Sequence, residues 1–428
     1  MLVFIWNAAD ERLARLTEAS VLAVCADCRF VRLNARPATA LNRKLAGCEE
    51  PFFLTLEAGD TVGPDFFRDV GGALASLEDA DAGLIVVPQP ADAGAADGPP
   101  PRAPLFWRTE AVLAEPSPGF AERRLLPFES YALLAKKLQL GRTRTWRTVA
   151  TSAYRPHPGG PPGWRQAERE WSLLAPLLAA VPSAPPAEAK PIFTIALCTC
   201  NDAEYLPWAV RSVATQSLPD WQLIVVDDGS TDGTEQILQS DPLLRDRRIV
   251  VIRHAANLGK AACLNRALAA AEGQWLLELD ADDWLAPDCL ATLARHAAGA
   301  GSGIGALYAD HIEWLERSNR QLIPGAVRRA AEPVTAAGLL DRPFAVAPRA
   351  YAVPLLRELN GWRTDDPSGG RLYEDVQMLA RVAQRRTLAR VPALLYHRRV
   401  RPESVTQRNK ARYPAWQAWM VAQLAAER

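Results

Sequence analysis

The chain has 428 residues, of which 49% are apolar, and its 49 basic side chains balance 49 acidic ones. That length suits two or three domains, and the charge balance leaves no global field to draw in a nucleic acid. No apolar run approaches the ~20 residues of a bilayer span. MLVFIW at the start is too short, and lacks the basic lead-in, for a secretory leader. The expectation is a cytoplasmic chain with no transmembrane segment, touching the inner face of a membrane at most peripherally. Seven cysteines, an odd number, argue against a disulfide framework. Cys25-Ala-Asp-Cys28 has redox-like or zinc-like spacing, but no second pair follows at finger distance, so buried thiols are expected.

In chain order, PQPADAGAADGPPPRAP (88–104) is a Pro/Gly/Ala surface loop. Residues 156–190 read as a Pro-rich linker around one amphipathic helix, WRQAEREWSLLAPLLAA. A regular alternation follows. FTIALCT, WQLIVVDD, RIVVIRH and WLLELD have strand length and apolarity, and AEYLPWAVRSVATQ, TDGTEQILQS and KAACLNRALAAAEG have helical spacing. This rhythm predicts an α/β fold with a doubly wound, mostly parallel sheet, whose ligands sit beyond the carboxyl ends of the strands. Thr199 to Asn201, Asp227 to Ser230 and Asp280 to Asp283 fall there.

An internal repeat is also legible. ALNRKLAGCEEPFFLTLEAGDTVGPDFF (40–67) aligns without a gap on CLNRALAAAEGQWLLELDADDWLAPDCL (263–290), and PFESYALLAKKL (127–138) resembles LYEDVQMLARVA (372–383). Gly59 stands where the second copy has Asp282, and Ser130 where it has Asp375. The expected domains are therefore 1–155, a degenerate copy without activity, and 191–428, the catalytic one.

Asp280, Asp282 and Asp283 close an oily run, where like charges repel. A hard divalent cation, Mg²⁺ or Mn²⁺, compensates such clustering and bridges to a diphosphate. Turn capping and solubility are the rival explanation.

Residues 192 to about 407 resemble a family 2 glycosyltransferase of the GT-A fold. The matching pieces are the strand into CTCN, VVDDGSTDGT, NLGKAACLNRAL, the Asp-x-Asp of LDADD, Glu374-Asp375 in LYEDVQML, and RRVRPESVT. The resemblance implies transfer of one sugar from a nucleotide diphosphate donor, a UDP-sugar, to an acceptor hydroxyl with inversion. It implies that Thr199, Asn201 and Asp228 contact the nucleoside and that Asn257, Gly259 and Lys260 form a helix start favouring phosphate. Asp282 is the implied metal ligand, with Asp280 on the ribose or the metal. The resemblance further implies that Arg399 and Arg401 fold over the diphosphate. Asp375 is the implied base, and Glu374 either positions the acceptor or caps a helix. Asp283 is read as a turn cap and His397 as structural. The implied acceptor is a lipid-linked or soluble glycan of the cell surface, with Mn²⁺ or Mg²⁺ as cofactor. The absence of Gln-x-x-Arg-Trp after Asp375 disfavours a processive synthase. The alternative is a scaffold that binds sugar nucleotides or glycans without turnover.

Overall fold

The computed structural model of the protein describes residues 1–6, 8, 10–33, 37–89, 105–115, 118–120, 133, 136–137, 139–157, 173–178, 181, 190–299, 303–316, 322–332, 334–341, 346–401 and 409–427. The expected loop after Gln89, Ser130 with most of its block, most of 156–190, and Pro402 onward in RRVRPESVT lie outside them. The chain separates into two compact units, Met1–Ser172 and Leu173–Arg428.

The first unit is built on β1 (Leu2–Trp6), β2 (Arg29–Arg32), β3 (Phe52–Glu57), β5 (Asp81–Pro88), β6 (Leu105–Arg108) and β7 (Thr145–Thr151), with β4 (Thr61–Val62) paired to β8 (Tyr154–Arg155). MLVFIW is apolar because it is β1, buried along its length between β2 and β3. Its six-stranded sheet runs β2-β1-β3-β6-β5-β7. β1, β2 and β3 are parallel, and β6 runs against both β3 and β5. Cys25 and Cys28 are free thiols with their sulfurs 2.9 Å apart. Burial and the Cys25 neighbour push Cys28 up to about 12, which suppresses the reactive thiolate.

The second unit carries the expected α/β alternation: β9 (Phe193–Thr199), β10 (Trp221–Asp227), β11 (Ile249–Arg253) and β12 (Trp275–Asp280), all parallel, linked by helices Leu206–Ala214, Thr234–Ser240 and Lys260–Ala270. Beyond them come β13 (Trp284–Leu285), β14 (Ile304–Glu316), β15 (Leu322–Arg328), β16 (Arg349–Ala352) and β17 (Thr387–Val400). The sheet order is β11-β10-β9-β12-β16-β14-β17-β13, with β15 on β14. Helix Glu374–Arg385 buries Val376, Met378, Leu379 and Val382 in one core, while β9, β10 and β12 also feed a second core on the opposite face. From the expected linker, Leu174 and Leu177 are buried, and the Leu177 carbonyl accepts a bond from Arg211. Among the described residues no helix is long and apolar enough to cross a membrane.

The two sheets share one plan. Strands β2-β1-β3-β6-β5-β7 match β10-β9-β12-β16-β14-β17 in order and in direction, and β11 has no counterpart among the described residues of the first unit. Side-chain braces repeat as well. Asn42 exchanges two 2.8 Å bonds with the Phe120 backbone, and Asn265 exchanges two of 2.7 Å with Trp362. Each aromatic follows a glycine at positive φ, Gly119 or Gly361. Asp60 accepts from the Tyr154 hydroxyl and the His157 N–H, both at 2.9 Å. Asp283 accepts from the Tyr396 hydroxyl at 2.8 Å and the Arg399 N–H at 2.7 Å. Gly59, in the place of Asp282, has φ +100°, and a Cβ there would meet the His157 ring at 2.7 Å.

Burial raises Asp60 to about 6, against the lowering effect of the His157 N–H and the Tyr154 hydroxyl. Between the ordinary carboxylate value and about 6 the folded state holds more proton than the unfolded one, so stability falls as pH rises through that window. Relative to Asp60→Asn, the wild type should lose about 1–3 kcal/mol between about pH 4 and pH 7 in urea unfolding. A pH-independent difference would show that Asp60 titrates normally.

Candidate active site

The site grows from the end of β12. Three apolar residues of that strand are fully packed, so it delivers Asp280 to its carboxyl end at a fixed point. The turn closes with the Asp283 N–H donating to the Asp280 carbonyl at 3.1 Å. Asp283 is buried and clamps β17 through Tyr396 and Arg399, as a turn holder. Burial, with Asp282 and Asp280 beside it, pushes its carboxyl well up.

Asp280 is tied to Lys260, the first residue of its helix, by a 2.5 Å ion pair, and the same ammonium reaches Glu374 at 2.9 Å. Burial alone would raise Asp280, but the charges of Lys260 and Arg349 bring it down to about 2. Burial works against the Lys260 charge too, and its acidic neighbours overcome this and hold it well above the usual lysine value. Asp282 meets Arg401 at 2.7 Å, and Arg401 lies 3.8 Å from Asp202 and over the Tyr205 ring. Burial still keeps Asp282 raised, and the Asp202 carboxyl is pushed to about 6 by burial and by Asp282. Asp375 sits in the first turn of helix Glu374–Arg385. One oxygen accepts the Val376 N–H at 2.8 Å, and the other is 3.8 Å from Arg349.

Several expected donor contacts are otherwise employed. Asn201, at φ +62°, turns its side-chain oxygen to the Thr231 and Asp232 N–H groups and braces the loop after β10. Asp228 accepts from the N–H groups of Leu258 and Gly259 and pairs with His254 at 2.8 Å, so it holds the 254–259 loop. Burial opposes the Asp228 charge, but these bonds outweigh it and lower its pKa. Asp228, His254 and Cys263 gather ligand atoms within 4.8 Å of one another, though both Asp228 oxygens already take backbone donors. The helix start at Asn257, Gly259 and Lys260 is not an open phosphate cradle. The Gly259 N–H is on Asp228, the Ala261 N–H on the Gly370 carbonyl, and the Lys260 ammonium on two carboxylates. Asn257 is exposed, with its amide on Cys200.

Arg399 is not placed as a cover over a diphosphate. It is buried against the rings of Tyr205, Trp208 and Trp284, donates to the Asp282 carbonyl at 3.0 Å and lies 3.5 Å from Glu316. Arg401, only half-buried, stays at the site. Thr199 keeps its place at the end of β9, and its buried hydroxyl has no hydrogen-bond partner. His397 is buried, stacks on Trp284 and accepts from Trp314 Nε1 at 3.1 Å, a structural role in which burial lowers it to about 3.

The reading of the sequence missed Asp202, Glu316, and the buried Glu278–Arg349 pair at 2.8 Å. A signal for the last was present: WLLELD and FAVAPRAYAVP each carry one charge inside an apolar run, and each buried charge needs the other.

The family model "Glycosyl transferase family 2" matches residues 194–344. This stretch is a family 2 glycosyltransferase domain. It takes in Thr199 through Asp282 and ends before Arg349 and Asp375. The domain is similar to the putative teichuronic acid biosynthesis glycosyltransferase TuaG of Bacillus subtilis, 42% identical over 94 residues, covering 22% of this chain and 37% of that protein. It is also similar to the putative colanic acid biosynthesis glycosyl transferase WcaA of Escherichia coli, 34% identical over 107 residues, covering 25% and 38%. The matched stretch thus spans about two fifths of these relatives. The S. aureus TarS 1–349 structure in complex with UDP-GlcNAc overlaps 50% of this chain and 60% of its own at 21% identity, with a TM-score of 0.39.

In the second unit Lys260 is the sole link of Asp280 to Glu374 among the described ion pairs. Lys260→Met leaves the buried Glu374 and the half-buried Asp280 without their shared cation. It should cost about 2–4 kcal/mol in urea unfolding near pH 7. Unchanged stability would show that the carboxylates separate without penalty.

Proposed function

We propose that the protein moves one sugar from a nucleoside diphosphate donor, a UDP-sugar, to an acceptor hydroxyl with inversion, in assembly of a cell-surface glycan. The observation that carries this reading is the Lys260 ammonium, which touches both Asp280 and Glu374 and so brings the Asp-x-Asp turn and the candidate base Asp375 to one place. The names of TuaG and WcaA, which refer to teichuronic acid and colanic acid biosynthesis, support the setting. The acceptor is a lipid-linked or soluble glycan.

The donor set fits a hard divalent cation. Asp280 and Asp282 offer carboxylate oxygens from one turn, and Asp282 is raised by burial and by the Asp280 charge despite Arg401. When bound, Mn²⁺ or Mg²⁺ supplies charge neutralisation for the departing diphosphate. The unpartnered Thr199 hydroxyl and Arg401 are the groups left for the donor. Asp375 takes the proton of the acceptor hydroxyl as that oxygen bonds to the anomeric carbon. The bond from that carbon to the diphosphate oxygen breaks on the opposite face, and the nucleoside diphosphate leaves. Glu374, buried on Lys260, positions the helix that carries the base.

The first unit is read as a duplicated frame without this chemistry. The shared strand order and the repeated Asn, Asp and Tyr braces support duplication, and Gly59 under the His157 ring supports the loss.

Asp375→Asn should lower kcat by about 10²–10⁴ with donor binding retained. Turnover near wild type in a nucleotide-release assay would remove the base from the scheme. Asp282→Ala should weaken nucleotide affinity in the presence of Mn²⁺ and leave it unchanged in chelator. Titration calorimetry showing equal losses in both would end the metal-ligand role.

A further inference from the structure

Arg349 is the first residue of β16, in register opposite Glu278 on β12. Its guanidinium is buried and held by two acceptors, Glu278 Oε2 at 2.8 Å and the Val346 carbonyl at 2.7 Å. So fixed, it presents Nη1 to the outer oxygen of Asp375 at 3.8 Å, while the inner oxygen is on the Val376 N–H. A planar fork anchored on two sides acts as a rigid stop for the carboxylate it faces.

This pair is a poor device for stability. Glu278 Oε1, Arg349 Nε and the neighbouring Tyr351 hydroxyl are buried with no hydrogen-bond partner. Burying two charges with part of their valence unmet costs more than a well-packed apolar pair of similar volume.

The first unit supplies a natural control. In the same register, β3 and β6 place Thr55 opposite Leu105 where β12 and β16 place Glu278 opposite Arg349. Thr55 accepts from Trp107 Nε1 at 3.0 Å and carries no charge. By the alignment of the two halves, Pro37 replaces Lys260 as first residue of its helix, Gly59 replaces Asp282, and Ser130 replaces Asp375. The frame stands without the charged pair, and the pair is missing together with the carboxylate it faces.

We infer that Arg349, anchored by Glu278, is a positioning residue that aims the Asp375 carboxylate at the acceptor hydroxyl. The inference rests on reading Asp375 as the base.

The test uses the full chain with three variants in one nucleotide-release assay: Glu278→Thr/Arg349→Leu, Arg349→Lys, and Asp375→Asn. The double variant copies the pair the first unit already tolerates. It should keep its urea midpoint and keep donor KM within about threefold, while kcat falls by about tenfold or more. Arg349→Lys keeps the charge without the fork, so kcat should fall severalfold at unchanged donor KM. Wild-type kcat in the double variant overturns the inference. If the double variant does not fold, Arg349→Lys decides alone, and unchanged kcat there overturns it. Near wild-type turnover in Asp375→Asn sinks the base and this inference together. Loss in Asp375→Asn with an unaffected double variant sinks only the positioning role.

Discussion

The constraint on which the second unit's chemistry depends is the burial of several carboxylates at one end of a sheet. Two unit charges 4 Å apart repel by about 4 kcal/mol at an effective dielectric near 20. The protein answers by alternation. Asp202 and Asp282 share Arg401, Asp280 and Glu374 share Lys260, and Arg349 faces both Glu278 and Asp375. Each of these three cations serves two acids and bears on the orientation of both. Lys260 and Arg349 each join the carboxyl-terminal half of β12 to the start of helix Glu374–Arg385.

Topology makes the alternation possible. Parallel strands β9, β10 and β12 bring their carboxyl ends to one edge, and antiparallel β16 enters beside β12 so that its first residue, Arg349, meets Glu278 near that edge. β17 then returns past the Asp280–Asp283 turn, with Tyr396 donating to Asp283 and accepting from the Asp280 N–H. The turn is therefore held by hydrogen bonds from β17, and the ion pairs of Asp280 and Asp282 lie on its less buried side. Arg399 and Arg401, two residues apart on one chain segment, divide along this line. One is packed into an aromatic box, and the other reaches Asp282.

What the sequence made legible follows from pattern strength. The strands and helices of the second unit were readable because apolar runs and helical spacing alternate cleanly from Phe193 to Asp280. The separate roles of Asp282 and Asp283 were readable because the first half keeps an acid at Asp60 and drops one at Gly59. The turn residues were not readable in the same way. Asn201, Asp228 and Gly259 are types that serve equally to contact a ligand or to satisfy loop amides, and only the fold decides between them. Here the fold employs them in the loop, where Asp228 accepts from the Leu258 and Gly259 N–H groups. Arg349 and Glu278 were marked by charge in apolar runs, but antiparallel entry of β16 beside β12 is a long-range pairing that no local pattern announces.

The two frames in one chain separate fold from chemistry more sharply than either does alone. Features present in both, the acid at Asp60 or Asp283 with its tyrosine, and the asparagine at Asn42 or Asn265 with its Gly-aromatic turn, belong to the architecture. Each satisfies backbone donors or acceptors that the topology would otherwise strand, a need independent of any substrate. Features confined to the second frame are charges: Lys260, Glu278, Asp282, Arg349 and Asp375. None satisfies a need of the shared architecture, because the first frame closes the same strand pairs with Thr55, Leu105 and a glycine beneath His157. A buried charge that a fold can do without is retained against its desolvation cost. Arg349 joins Glu278 to Asp375, Lys260 joins Asp280 to Glu374 and Arg401 joins Asp282 to Asp202, an arrangement that fits the acid–base chemistry proposed for this site.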